Sequence, residues 1–213
     1  MDDVADRRIE RGNQTRQLVL RRAVDLASVE GLDGLSLGRL ANELELSKSG
    51  VFALFGSKED LQLATIAAAT GIFVEHVVEP ARSAPPGIDR LRRTCDSWLT
   101  YSRERVFPGG CFFYAASAEF DARSGKVHDA LVTARSDWLG HLERTALEAQ
   151  QAGGVVPDAD IGQLVFELAA FLEMANAESV LHDEFTCYDK AARAVLNRLR
   201  AVAVDPSDLP DQA

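Results

Sequence analysis

Cysteine is scarce in this chain: Cys95, Cys111 and Cys187 are the only three among 213 residues. They lie far apart, their number is odd and no CxxC spacing occurs, which fits a reducing compartment better than a disulfide framework or a zinc site. Long apolar runs are missing too. No stretch of 18 or more apolar residues is found, and the start, Met-Asp-Asp-Val-Ala-Asp-Arg-Arg, is charged with no apolar segment behind it. Neither a membrane span nor a signal peptide is expected, so the chain is expected to be cytoplasmic, with no membrane partner. Catalytic signatures are also lacking. His76, His128, His141 and His182 are scattered without HExxH spacing, there is no GxSxG or GxGxxG loop, and no cysteine lies near a histidine in sequence. An enzyme is not expected, and no catalytic residue, metal ligand or cofactor is assigned.

Positive charge is in short supply as well, with 23 Lys and Arg against 33 Asp and Glu, a net charge of −10. Residues 1–60 carry nine of the cations and eleven of the acids, so this part stands at −2 and the remainder at −8. A local basic patch matters more to a polyanion than the total, because distant acids are screened over about 8 Å. Arg7, Arg8, Arg11 and Arg16 cluster before and at the first helix. They form either an arm able to reach a nucleic-acid backbone or minor groove, or a solvated tail.

What is present is helical periodicity in a chain that is 46% apolar and long enough to bury a sizeable core. Leu61, Ala64, Ala68 and Ile72 continue a long helix to about residue 78, which the segment from Glu79 to Gly87, with three prolines, breaks. Five further helices follow, at about 88–105, 111–122, 125–151, 158–182 and 187–203, with Pro108-Gly109-Gly110 and Gly153-Gly154 between some of them. No strand alternation, internal repeat or low-complexity tract interrupts them, so the fold class is all-α.

The most informative segment is 36–61. Ser36 is a good N-cap, and Leu37, Leu40, Ala41 and Leu44 make one apolar stripe on a helix of about two turns. Ser47 caps a second short helix at once, in which Val51, Leu54 and Phe55 need face inward. Lys48, Ser49 and Gly50 are left outward at its N-terminal end, where a helix in the major groove meets base edges. Gly56 suits a helix end, Ser57 caps the next helix, and Lys58 with the free amides of that first turn suits a phosphate. Two short helices with a tight turn form a helix-turn-helix, the pattern of a protein that reads DNA.

Thr15-Arg16, the run Glu30-Gly31-Leu32-Asp33-Gly34-Leu35-Ser36 and the run from Ser47 to Leu61 together resemble the TetR family of transcriptional repressors, over about residues 13–65. The resemblance implies an all-helical homodimer whose N-terminal helix-turn-helix domains bind a palindromic operator and whose larger C-terminal domains bind an inducer. On this reading residues 1–60 are the DNA-binding domain with its arm, 61–205 the ligand-binding and dimerisation domain, and 206–213 a flexible tail. The DNA-binding residues are expected to be Arg16, Ser36, Ser47, Lys48, Ser49, Gly50, Phe52 and Lys58. Three positions depart from the family, one of them Leu54, where a His or Tyr is frequent. Glu45 stands where the turn usually has Gly, which asks a non-Gly residue for a positive φ, and Phe52 replaces the usual phosphate-binding Tyr.

The body offers two further sets. The helix at 158–182 is apolar nearly all round, so one face can pack the core and another a partner. Phe166, Ala170, Met174 and Ala177, with Val195 and Leu199 on the last helix, form the expected interface of a two-fold dimer. Trp98, Tyr101, Phe113, Trp138 and Phe166, with Glu119, His141 and Glu173 as polar groups among apolar ones, are the expected pocket for an unidentified small-molecule inducer. Aromatics at helical spacing equally serve as plain core. The function expected is a repressor released from its operator by a small apolar or amphipathic ligand that moves the long helix 57–78. The alternative is an acidic helical interaction module with weakened DNA binding, favoured by Glu45, Phe52 and the head's net negative charge.

Overall fold

In the computed structural model the described residues are 2–212, with side chains described for 10 and for 12 onward. Among the described residues nine α-helices follow one another: α1 Asp2–Glu30, α2 Leu37–Glu43, α3 Lys48–Phe55, α4 Lys58–Phe73, α5 Ile88–Arg103, α6 Phe112–Phe120, α7 Lys126–Gln151, α8 Ile161–His182 and α9 Thr186–Val202. Among the described residues there is no strand, only an isolated bridge between Val155 and Ala203. The protein is all-α.

The chain forms two compact units, one of residues 1–71 with 107–132 and the other of residues 72–106 with 133–213. The boundary expected at residue 60 therefore lies further along α4, and a segment expected in the body returns to the first unit. The reason is packing against α1. A Cβ on Gly109 would lie 1.8 Å from the Ser28 carbonyl oxygen, so only glycine admits this approach, and the Gly109 N–H donates to Ser28 Oγ at 3.1 Å. Val19, Ala23, Val24 and Ala27 of α1, Leu40 and Ala41 of α2, and Val51 of α3 form the buried centre of this unit.

The second unit begins where α4 gives way to a π-helical turn, Val74–Val78, and a short 3-10 turn, Pro80–Ser83. By length and composition the helical stretch Lys58–Ser83 is long and apolar enough to cross a membrane, which a count of uninterrupted apolar residues overlooked. Leu61, Ile66, Ala69, Phe73 and Val77 of that stretch are buried inside the protein.

Within the second unit α8 packs along α9, and α5 packs on both. Val195 and Leu199, expected at the dimer interface, are buried in this core. They point between α9 and its neighbours and are corrected to core positions. Phe166 and Met174 are 70% and 59% exposed, with Ala170 also exposed and Ala177 half-buried. Leu181, 75% exposed, extends the apolar face. The tail is not loose over its described part: Pro206–Asp208 form a 3-10 turn, Leu209 is buried, and Arg200 donates to the Pro210 carbonyl.

Candidate nucleic-acid interface

The local sequence builds the reading head as its residue types require. Ser36, in an extended conformation, accepts the Arg39 N–H on its hydroxyl at 3.1 Å and starts α2. Leu37, Leu40 and Ala41 are buried. The helix closes with the Leu46 N–H on the Ala41 carbonyl at 2.8 Å and the Glu45 N–H on the Asn42 carbonyl at 3.3 Å, the paired bonds of a Schellman ending. Glu45 takes the left-handed position that this ending needs, with φ of 55°. Ser47 then accepts the Gly50 N–H at 3.1 Å and starts α3. A Cβ at position 50 would stand 2.8 Å from that hydroxyl oxygen, so glycine protects the cap. Val51 and Phe55 turn inward with Leu54 half-buried, and Lys48, Ser49, Gly50 and Phe52 are exposed. Gly56 ends α3 at φ of 75°, and Ser57 accepts the Asp60 N–H at 3.0 Å to start α4.

The cations of the head are held unequally. Arg16 donates to the Leu54 carbonyl at 2.8 Å, and its guanidinium lies 4.6 Å over the Phe55 ring. It fastens α1 to the end of α3 instead of projecting free. Arg22 pairs with Glu43 at 2.7 Å, while Arg39 binds Glu43 at 2.8 Å and forks onto both oxygens of Glu30. The Arg39 hydrogen bond holds both the Glu30 and Glu43 carboxyls below their usual range. Lys58, exposed at the first position of α4, reaches Asp33 at 2.8 Å. Lys48 has no ion pair among the described residues. The side chains of Arg7, Arg8 and Arg11 lie outside the described residues.

Glu119 of α6 belongs to the head. Its two carboxylate oxygens accept the Leu32 N–H at 2.7 Å and the Asp33 N–H at 2.9 Å, clamping the loop between α1 and α2. The expectation that it faces a ligand is corrected, because both oxygens are occupied by backbone. Phe113, another residue of the ligand set, also lies in the first unit, half-buried against Phe112 at 5.2 Å between ring centroids.

Four of the expected ligand residues do come together in the second unit. Phe73 meets Tyr101 and Trp138 edge to face, with centroids 5.4 and 5.1 Å apart; Trp98 meets Tyr101 at 6.1 Å, and His141 stacks on Trp138 at 6.1 Å. Nε2 of His141 is buried without a hydrogen-bond partner among the described residues. Burial, with Arg144 and Arg82 assisting, holds that imidazole below its ordinary pKa. Glu173 pairs instead with Arg135 at 2.6 Å, and Phe166 lies on the exposed face of α8. Sequence reasoning missed a buried polar cluster nearby. The Tyr188 hydroxyl bonds Ser102 at 2.8 Å and Ser179 at 2.7 Å, and accepts from Arg105 at 2.9 Å. Nothing local announces it, since the partners are up to 86 residues apart.

Burial also pushes the Cys95 thiol up, away from reactivity. Among the described residues no group of three or more His, Cys, Asp or Glu could hold a metal ion.

A capped two-helix unit that turns Lys48, Ser49 and Phe52 to solvent, on an all-α scaffold, defines a helix-turn-helix protein of the DNA-reading class. The family model "Bacterial regulatory proteins, tetR family" matches residues 19–65, and "Tetracyclin repressor-like, C-terminal domain" matches residues 87–195. The chain belongs to the TetR family of transcriptional regulators, which are DNA-binding transcription factors and not enzymes. Solved structures agree in fold. A TetR transcriptional regulator from Chloroflexus aurantiacus has a TM-score of 0.84 at 20% identity, covering 91% of this chain and 98% of its own. One from Cytophaga hutchinsonii has 0.79 at 18%, covering 92% and 98%. AibR, solved with isovaleryl coenzyme A and operator DNA, has 0.67 at 16%, covering 88% and 97%. No curated protein sequence matches this chain.

Proposed function

We propose that this regulator is a cytoplasmic homodimeric repressor that holds a palindromic operator and releases it when a small apolar or amphipathic ligand binds. The observation that carries the reading is the outward row Lys48, Ser49, Gly50 and Phe52 on α3, beside Lys58 at the start of α4. Exposed side chains at that helix end suit base edges, and Lys58 with the first-turn amides of α4 suits phosphate, which supports the reading. Ser36 and Ser47 support the site as caps, and Arg16 as the brace of α3. The exposed apolar face of α8, with Phe166, Ala170, Met174 and Ala177, supports a two-fold pairing that sets two heads about one turn of DNA apart or a multiple of it. Trp98, Tyr101, Trp138 and His141 support the ligand site as an aromatic cluster with one unsatisfied ring nitrogen. AibR is solved with both operator DNA and isovaleryl coenzyme A, which supports a DNA reader that also takes a small molecule. The ligand acts only through its different affinity for two arrangements of the dimer.

The test is fluorescence anisotropy with the duplex flanking the protein's own gene and with a scrambled duplex, at two salt concentrations. Tight, salt-sensitive binding that prefers the first duplex is expected and falls on Lys48→Ala. Equal weak binding to both duplexes, and to duplexes selected from a random pool, would overturn the reading in favour of the interaction module.

A further inference from the structure

Asp33 stands at the centre of a charge arrangement that the helix-turn-helix alone does not contain. One carboxylate oxygen accepts Lys58 Nζ at 2.8 Å and the other accepts Arg123 Nη1 at 3.1 Å. Arg123 comes from the turn after α6, outside the DNA-reading motif. It is well held there: its guanidinium lies 4.6 Å over the Phe120 ring, and its N–H bonds the Phe120 carbonyl at 3.0 Å. Asp33 is held too, through its backbone N–H on Glu119. All three charged side chains are about half exposed.

Two consequences follow from elementary electrostatics. Exposed ion pairs are weak, so Lys58 exchanges Asp33 for a DNA phosphate at little cost. Whether that exchange is favourable depends on what remains at Asp33. With Arg123 present, the carboxylate keeps a cation when Lys58 leaves. Without it, a bare carboxylate would be left facing a polyanion, and Lys58 would be retained. Glu59 adds to the negative side of this corner and is itself matched by Lys126 at 2.9 Å, from the first turn of α7.

We propose that Arg123 is a positioning residue for DNA binding, which sets operator affinity by sharing Asp33 with Lys58 and so freeing the Lys58 ammonium for phosphate. The inference rests on the DNA-reading function proposed above. It places a determinant of operator affinity in a segment that sequence reading assigns to the body, and makes Asp33 an internal competitor of the DNA backbone.

The experiment measures binding of the full-length protein to a duplex selected from a random pool, for Arg123→Ala alone and in the Asp33→Asn and Lys58→Ala backgrounds, with thermal melting of each variant. Arg123→Ala is expected to weaken binding about two- to five-fold, the scale of an exposed pair, and Asp33→Asn to tighten it by a similar factor. The Arg123→Ala effect is expected to vanish in the Asp33→Asn background and to shrink in the Lys58→Ala background, where the carboxylate left bare still faces the phosphates. An equal loss in all three backgrounds would mean that Arg123 touches phosphate itself and would overturn the proposal, as would no loss in the parent. If Arg123→Ala lowers the melting temperature, Asp33→Asn, which leaves Arg123 in place, decides: unchanged or weaker binding overturns the proposal. A parent protein that enriches no duplex overturns the DNA-reading assignment and this inference together, whereas an enriched duplex with additive variants overturns the inference alone.

Discussion

Glu119 accepts the backbone N–H groups of Leu32 and Asp33, 87 and 86 residues away in sequence, on its two carboxylate oxygens at 2.7 and 2.9 Å. A charged side chain of α6 thereby fixes the loop that delivers the chain into the helix-turn-helix. Leu32 is fully buried, so its amide has no ready replacement in water. Glu119→Ala is expected to destabilise the protein by about 1–3 kcal/mol, the cost of a lost charge-assisted bond with a stranded donor. Urea denaturation checks this, and Glu119→Gln, which keeps an acceptor, is expected to recover part of the loss.

Glu45 carries the backbone strain of the turn at φ of 55°. The left-handed conformation costs a non-Gly residue about 1–2 kcal/mol, partly offset by the greater chain entropy that glycine loses on folding. Glu45→Gly is therefore expected to stabilise the protein by about 0.5–1 kcal/mol. Glu45→Ala, which keeps a Cβ, is expected to show no such gain in the same denaturation experiment.

Gly50 and Ser47 are coupled through the 2.8 Å approach of a Cβ at 50 to the capping hydroxyl. Gly50→Ala drives that hydroxyl off the cap and is expected to cost about 1 kcal/mol, the usual value of an N-cap. In a Ser47→Ala background the cap is already gone, so the same substitution is expected to be neutral or stabilising, as alanine is in a helix. An unchanged cost there would refute the coupling.

Phe166 and Leu199 separate association from folding. Phe166→Asp with Met174→Asp is expected to leave a folded monomer, because both side chains are exposed within the chain; sedimentation velocity and circular dichroism read the two properties. Leu199→Ala is expected to cost about 2–5 kcal/mol of fold stability, the range for emptying a packed leucine site.

His141 makes stability depend on pH in a definite direction. Burial favours its neutral ring in the folded state, so as pH falls through about 6.5 the unfolded chain takes up a proton first and stability drops. The loss continues until the folded-state ring also titrates. His141→Gln is expected to flatten the part of the decline between about pH 7.5 and pH 5.5 that this ring causes, read as urea midpoints.

The sequence by itself determined what is encoded within a turn or two of the chain. Ser36, Ser47 and Ser57 mark helix starts because a short hydroxyl side chain meets amides two or three residues on. Leu37, Leu40 and Ala41 mark a buried face by helical spacing, and the break from Glu79 to Gly87 ends a helix because of proline. Even the positive φ of Glu45 was legible, from the place of a non-Gly residue in a turn that needs one. Tertiary structure alone decided where long-range partners meet. Val195 and Leu199 share a helix stripe that suits a partner chain as well as a core, and only the packing of α5, α8 and α9 assigned them to the core. Glu119 reads as a polar group of a ligand pocket, Gly109 as part of a break between helices and Arg123 as an unremarked body residue, since nothing in their neighbourhoods names Leu32, Asp33 or Ser28 as partners. Periodicity records which face of a helix is apolar; what covers that face, and which distant carboxylate or cation stands beside it, depends on chain closure over some eighty residues, which no local pattern carries.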